Sequence, residues 1–346
     1  TMKKEGFGYS AWTLIRQRAL TLACFAYVDD ADLIHANNDR TTSTKQMMER
    51  AQEALYLWEG MLHATGGALA PEKSYWYLVE VIRANGKWTY ARESHQPFDM
   101  YLQNGTFQNK RLEAYQAQQS LGIMTRPDGK MFDEIKKHKK AAAMWCDGVR
   151  TKRIQPEEAW YSLTATIFKT LEYPLVATTL TRAQCKEILK PILKTALPLC
   201  RVQQKLPRAL VHGSYRSRGL NIPDLYWTQL IQHLHAIQRH MHRDTPSCDL
   251  HTENMDLVQF HVGSSVTFWE LPFQEYGCLA PDGWIKHTWE ALSFTQLTLK
   301  GPQLGLPNER EQDSSLMDAF VAQGYDVKTL TTLNECRFYL GASHVS

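Results

Sequence analysis

Several features are missing from this chain. No run of about 18 apolar residues occurs, so no helix able to span a bilayer is expected and no membrane partner is implied. The seven cysteines, at positions 24, 146, 185, 200, 248, 278 and 336, never stand at Cys-x-x-Cys spacing. That leaves no zinc knuckle or ribbon, and an odd, dispersed set points to reduced thiols and an intracellular setting, nucleus or cytoplasm. Charge of one sign is not in excess: 39 Lys and Arg against 36 Asp and Glu leave +3. The chain is therefore no basic arm, and any nucleic-acid binding must come from local clusters. Internal repeats and low-complexity tracts are lacking. So is a secretory leader pattern at Thr1-Met2-Lys3-Lys4-Glu5-Gly6. Beginning on Thr instead of Met, the sequence reads as a fragment or a processed chain.

What is present suits a globular protein. The 346 residues allow one large domain or two to three ordinary ones. Ten tryptophans and fifteen tyrosines serve mainly as core, though aromatics also stack on bases. The most informative segment is Leu22 to Ile34, in which Tyr27-Val28-Asp29-Asp30 separates two apolar runs. A short apolar stretch rich in aromatic and β-branched residues predicts a buried strand. Two aspartates inside it must be paired or bound to a cation. A hairpin reconciles the two, with the aspartates at the turn and Leu33-Ile34 returning. Such a tip can hold Mg²⁺, which takes oxygen ligands and keeps positions open for phosphate. The alternative is a surface turn that happens to carry two carboxylates.

Tyr-x-Asp-Asp in an apolar hairpin resembles the catalytic motif of reverse transcriptases, specifically RNA-directed DNA polymerases of the eukaryotic non-LTR retrotransposon type. The resemblance implies two Mg²⁺ ions (Mn²⁺ is a possible substitute) about 4 Å apart at the primer 3′-hydroxyl and the leaving pyrophosphate. It makes Asp29 the main metal ligand, Asp30 an accessory one, and Tyr27 a support for the primer end. Asp32 is expected to face away. An RNA template, a DNA primer and a dNTP are the implied partners of the full-length protein.

Flanking segments extend the comparison. Ala11 to about Ala23 is predicted as a helix capped by Ser10, and in the family a helix beneath the template precedes the motif. Ser43-Thr44-Lys45-Gln46 fits a capping box. It opens a helix over 44–64 whose Met47, Ala51, Ala54, Leu55, Trp58, Met61 and Leu62 share one face, with Gly66-Gly67 as the stop. Tyr75 to Ile82 reads as one strand, turned by Asn85-Gly86 into Lys87-Trp88-Thr89-Tyr90. The family places a lysine near the triphosphate in the loop before this strand. Lys73 is the matching position, and an ammonium can act as a point charge for phosphate; an ordinary solvated lysine is the other reading. Gln118 to Phe132 is expected to be a hairpin turned by Pro127-Asp128-Gly129. Its Leu121-Gly122-Ile123 resembles the segment at the palm–thumb junction.

From Asp133 to about His242 the pattern is helical. Lys136, Lys137, Lys139 and Lys140, followed by Arg150, Lys152 and Arg153, suit a polymerase thumb that grips a duplex by its phosphates. A solvated helix face is the alternative. Helices are predicted over 157–171 and around 185–193, the second capped by Thr181 and ended or kinked by Pro191. Gly219-Leu220-Asn221-Ile222-Pro223-Asp224-Leu225 resembles a segment after the thumb in the same family. His233, His235, His240 and His242 follow on a helix without metal-ligand spacing.

The reading is an α+β chain in three parts. Residues 1–132 are part of a palm, an antiparallel sheet backed by helices. Residues 133–248 are a helical thumb, and 249–346 a small α-rich domain of unknown role. The family's upstream strand, with its own metal-binding aspartate, has no counterpart here, since Glu5 is the one carboxylate in 1–26. The chain by itself is therefore expected to be inactive. Two further hypotheses stay open. One is a non-catalytic nucleic-acid-binding remnant of a retroelement. The other is a structural α/β protein with a chance Tyr-Val-Asp-Asp.

Overall fold

The computed structural model describes all residues except 1, 3, 13–14, 16–18, 37–40, 85, 242, 301–305, 307–312 and 346. The chain is of the α+β class and divides into two compact units, 1–13 with 17–130 and 14–16 with 131–346. All eleven strands among the described residues lie in the first unit.

The predicted helix over 11–23 is instead a β-hairpin. β1 (Tyr9–Trp12) pairs antiparallel with β2 (Ala19–Leu22). Alternation decides it: Leu20 and Leu22 are buried while Ala19 is exposed and Thr21 half-buried, a period of two that a helix cannot satisfy. Ser10, read as a helix cap, meets Thr21 across the strands at 3.1 Å between hydroxyls. Gly8, at φ +120°, lies so close that a Cβ would meet the Leu22 carbonyl oxygen at 2.5 Å.

β3 (Cys24–Tyr27) and β4 (Asp30–Leu33) form the expected hairpin. α1 (Thr44–Ala64) follows. The Gln46 backbone N–H donates to Ser43 Oγ at 3.3 Å, and the Ser43 N–H donates to Gln46 Oε1 at 3.0 Å, a capping box worth about 1 kcal/mol. The helix ends as predicted. Gly66 takes φ +80°, and the Gly66 and Gly67 N–H groups return to the His63 and Leu62 carbonyls. Met48 and Leu55 pack with Trp76, Leu78, Met100 and Leu102, and Leu33 joins from β4. Ala54 packs with Ala23 and Met2. One helix thus backs both the hairpin and the sheet beside it.

That sheet differs from expectation. Residues 75–82 are two strands, β5 (Tyr75–Tyr77) and β6 (Val81–Ala84), because the backbone changes partner between them. β6 pairs antiparallel with β7 (Lys87–Tyr90) across a two-residue turn whose Gly86 has φ +75°; Asn85 lies outside the described residues. β8 (Met100–Leu102) and β9 (Phe107–Leu112) complete a three-stranded sheet in the order β5-β9-β8. There β9 runs antiparallel to β8 but parallel to β5, so the sheet is mixed.

The last hairpin also turns elsewhere. β10 (Gln118–Ser120) and β11 (Ile123–Thr125) are joined by Leu121 (φ +47°) and Gly122 (φ +80°). Two positive φ values match strand twist better than the ordinary turn that Pro-Asp-Gly makes. Pro127-Asp128-Gly129 is a separate turn, with the Gly129 N–H donating to the Arg126 carbonyl and Arg126 bridging Asp128.

The second unit is helical. α2 (Phe132–Thr151) packs on α5 (Arg182–Leu199). Between them α3 (Pro156–Ser162) passes through a π-helical turn at 163–167 into α4 (Phe168–Glu172). Pro191 does not end α5, which also runs through Pro198. Both prolines are exposed, and Gln204 Nε2 donates to the Lys194 carbonyl that Pro198 leaves without its helical donor. Ile188, Ile192, Leu193 and Leu197 bury the opposite face. α6 (Arg208–His212), α7 (Leu225–Met241), α8 (Pro246–Val262), α9 (Phe273–Tyr276), α10 (Trp284–Ser293), α11 (Leu316–Ala322) and α12 (Val327–Leu340) complete it. The sequence boundary at 248/249 falls inside α8. One core runs from Ile135 to Leu330, so 249–346 is not a separate body. Among the described residues no helix is long and apolar enough to cross a membrane.

Candidate functional site

The β3–β4 hairpin has a two-residue loop. Tyr27 pairs with Asp30, leaving Val28 and Asp29 at the tip. Val28 takes φ +57°, as the first loop position of a primed hairpin turn requires. For a β-branched residue this conformation is a true outlier, and such outliers cluster at functional sites. Its side chain is 91% exposed, so no packing holds it there. The distal hairpin is not the buried strand the sequence suggested: Phe25, Tyr27, Asp29 and Asp30 are all exposed. Only its base, through Ala23 and Leu33, packs on α1.

Register sorts the carboxylates. Opposed residues share a face, and the face alternates along the strand. Tyr27, Asp30, Phe25 and Asp32 therefore stand on one side, and Cys24, Ala26, Ala31 and Leu33 on the other. Asp32 does not face away. Burial and then the neighbouring Asp30 carboxylate raise its pKa. Tyr75 is drawn into the same field: burial raises its hydroxyl pKa, and Asp32 and Asp30 add to the rise. The Tyr77 hydroxyl is pushed up to about 12, by burial and then by Tyr75; it donates to the Gln116 carbonyl at 3.1 Å. Tyr75 is not singled out by the sequence, and Asp32 is placed by it on the wrong face, although the two-residue spacing of Asp30 and Asp32 was the available signal.

Two carboxylates on one exposed face repel each other, and a cation between them would remove that cost. Hydrated Mg²⁺ can be bound through one or two protein carboxylates, and Asp29 and Asp30 at the tip are the pair that could offer them, with Asp32 on the Asp30 face. The described residues contain no group of three or more His, Cys, Asp or Glu placed to hold a metal ion. Lys73 ends a 3₁₀ turn at Pro71–Lys73, two residues before Tyr75. It is exposed and makes no ion pair among the described residues.

No protein-family model, curated protein or solved structure matches the chain.

The candidate duplex contacts lie on and just after α2, in the second unit. They are not equivalent. Lys137 is 3.8 Å from the buried Glu134 carboxylate, and Lys139 is 2.7 Å from Glu187. Arg150 Nη2 donates to Thr195 Oγ1 at 2.7 Å. These three brace α2 internally and against α5. Lys136, Lys140, Lys152 and Arg153 are exposed and make no ion pair among the described residues. The histidines of α7 form no metal cluster among the described residues. His233 is fully buried: its Nε2–H points at the Leu175 and Thr178 carbonyls, 3.1 and 3.0 Å away, and Nδ1 meets the Thr288 hydroxyl at 2.9 Å.

Proposed function

We propose that the first unit is part of the palm of an RNA-directed DNA polymerase of the non-LTR type and that the second contains its thumb. The observation carrying this reading is the hairpin itself. Tyr-Val-Asp-Asp occupies a two-residue turn with Val28 at positive φ, and its carboxylate face is open to a cation and a phosphate. The backing helix α1 supports it, as does the loop with Lys73 entering an aromatic strand. A bound Mg²⁺ would activate the primer hydroxyl and neutralise phosphate charge. Asp29 and Asp30 would hold it, with Asp32 raising the negative potential behind them. Tyr27, exposed beside Asp30, would support the primer end, and Lys73 would face the triphosphate.

A second reading rests on Lys136, Lys140, Lys152 and Arg153, exposed and without an ion pair among the described residues. On it the chain binds nucleic acid without catalysis. Primer extension separates the two. An RNA template and DNA primer are supplied to residues 1–346 alone and to the chain joined to coding sequence upstream of Thr1. Nucleotidyl transfer depends on fixed geometry around the ions. We expect no incorporation by the first, and Mg²⁺-dependent incorporation by the second that Asp29→Asn abolishes. Incorporation indifferent to Asp29→Asn would refute the polymerase reading. No incorporation by the joined chain would leave the binding reading standing.

A further inference from the structure

The longest carboxylate-free stretch of the second unit lies well after the lysine run on α2. Between Glu187 and Asp224 the chain has no carboxylate at all, yet it carries seven cations. Lys190 and Lys194 lie on the exposed side of α5. Arg201, Lys205, Arg208, Arg216 and Arg218 follow on α6 and in the turns around it, every one exposed. None of the seven makes an ion pair among the described residues, whereas Lys137, Lys139 and Arg150 on α2 are engaged. Seven exposed cations with no ion pair among the described residues, and no carboxylate between them in sequence, make this stretch attractive to polyanions.

The last two arginines sit on a closed loop. Gly213 and Gly219 touch: a Cβ on Gly219 would meet the Gly213 carbonyl oxygen at 2.1 Å. The Gly219 N–H donates to the Ser214 carbonyl, and the Leu220, Asn221 and Ile222 N–H groups donate to the Leu210, Gly213 and Val211 carbonyls. His212 Nδ1–H donates to the Ile222 carbonyl at 2.8 Å. Ser214 Oγ accepts from the Arg216 N–H, opening a 3₁₀ turn over Tyr215–Ser217, and Arg218 leaves it at φ +59°. The loop is held by backbone and glycine contacts and presents Tyr215 (62% exposed) beside Arg216 and Arg218. Little ordering entropy remains to be lost on binding.

We propose that this segment, centred on Tyr215, Arg216 and Arg218, is a binding site for single-stranded nucleic acid. The guanidinium and ammonium groups would take the phosphates, and the Tyr215 ring would stack on a base. Gln203, Gln204, Ser214 and Ser217 add exposed polar groups. Few exposed apolar side chains are present, which argues against a bilayer. The site lies outside the hairpin and does not depend on polymerase chemistry.

The test is anisotropy of a fluorescent 20-nucleotide RNA with the full chain, across a salt series. Binding should weaken with salt at about 0.7 in log–log slope per phosphate contact. The triple variant Arg208→Gln, Arg216→Gln, Arg218→Gln should lower that slope by about 2 while circular dichroism stays unchanged, since no cation closes the loop. Tyr215→Ala should weaken binding roughly tenfold and leave the slope as it was. An unchanged slope in the triple variant, or unchanged affinity in Tyr215→Ala, would overturn the proposal. So would tighter binding to polyglutamate or to anionic phosphatidylserine vesicles than to RNA. Because the readout is binding and not incorporation, failure here leaves the hairpin reading to its own test.

Discussion

Asp30 and Asp32 stand on the same face of the β3–β4 hairpin, and the Asp30 carboxylate helps to hold the Asp32 pKa above its ordinary value. Burial is the larger cause. Asp30→Asn removes only the charge, so the Asp32 pKa should fall but stay above the ordinary aspartate value. Carboxyl-carbon NMR titration of the variant checks this. An unmoved Asp32 pKa would mean that the two carboxylates do not share a field.

Val28 holds φ +57° with its side chain in solvent. Val28→Gly removes the β-branch from a left-handed position and loses no packing. The variant should be more stable by about 1 kcal/mol, strain relief less the added glycine entropy. Urea denaturation measures it, and a destabilised variant would show that the turn is not strained.

The hairpin was legible in the sequence because the aspartates break an apolar run at its middle and the return strand is short. α1 was legible because Ser43 and Gln46 stand at capping-box spacing and Gly66-Gly67 mark its end. Residues 11–23 were misread because Trp12, Leu14, Ile15 and Ala19 satisfy a helical spacing as loosely as Leu20 and Leu22 satisfy a strand. Pairing between the two ends of the segment then decides, with Tyr9 to Trp12 supplying the partner of Ala19 to Leu22. The turn at Leu121-Gly122 was missed because Pro-Asp-Gly is the stronger local signal, yet strand twist selects two consecutive positive φ values. At the site, Asp29, Asp30 and Tyr27 could be named from the motif. The common face of Asp30 and Asp32 needed the register, and the Tyr75 hydroxyl comes from a strand more than forty residues away.

His233 is neutral in the folded chain. Burial, and then His287, lower its pKa from 6.5 to about 4, against a smaller raising effect of the Leu175 and Thr178 carbonyls. Between these values the unfolded chain binds the proton and the folded chain does not, so stability rises with pH there. The contribution is complete above about pH 6.5 and is lost as pH falls toward 4, amounting to about 2 kcal/mol by pH 5. Urea denaturation at pH 7 and pH 5 should show this loss in the wild type and a smaller one in His233→Gln. Equal losses would remove His233 as a source.

Arg337 is buried with no carboxylate partner among the described residues. It donates to Asn334 Oδ1 and to the Phe260 and His261 carbonyls at the end of α8, where its charge meets the negative end of the helix dipole. Gly263, at φ +69°, leaves it room: a Cβ there would lie 2.9 Å from the guanidinium carbon. Arg337→Lys keeps the charge but loses the fork. It should cost about 2 kcal/mol by leaving buried carbonyls unpaired. Thermal unfolding checks it, and an unchanged midpoint would contradict the assignment.

On the proposed reading the hairpin tip binds a divalent cation. Mn²⁺ titration followed by paramagnetic broadening of backbone amide signals in residues 1–346 tests it most directly. The Val28, Asp29 and Asp30 signals should broaden first, Asp32 and Tyr75 next, and the pattern should vanish in the Asp29→Asn, Asp30→Asn double variant. Broadening that centres elsewhere, or that survives in the double variant, would contradict the account.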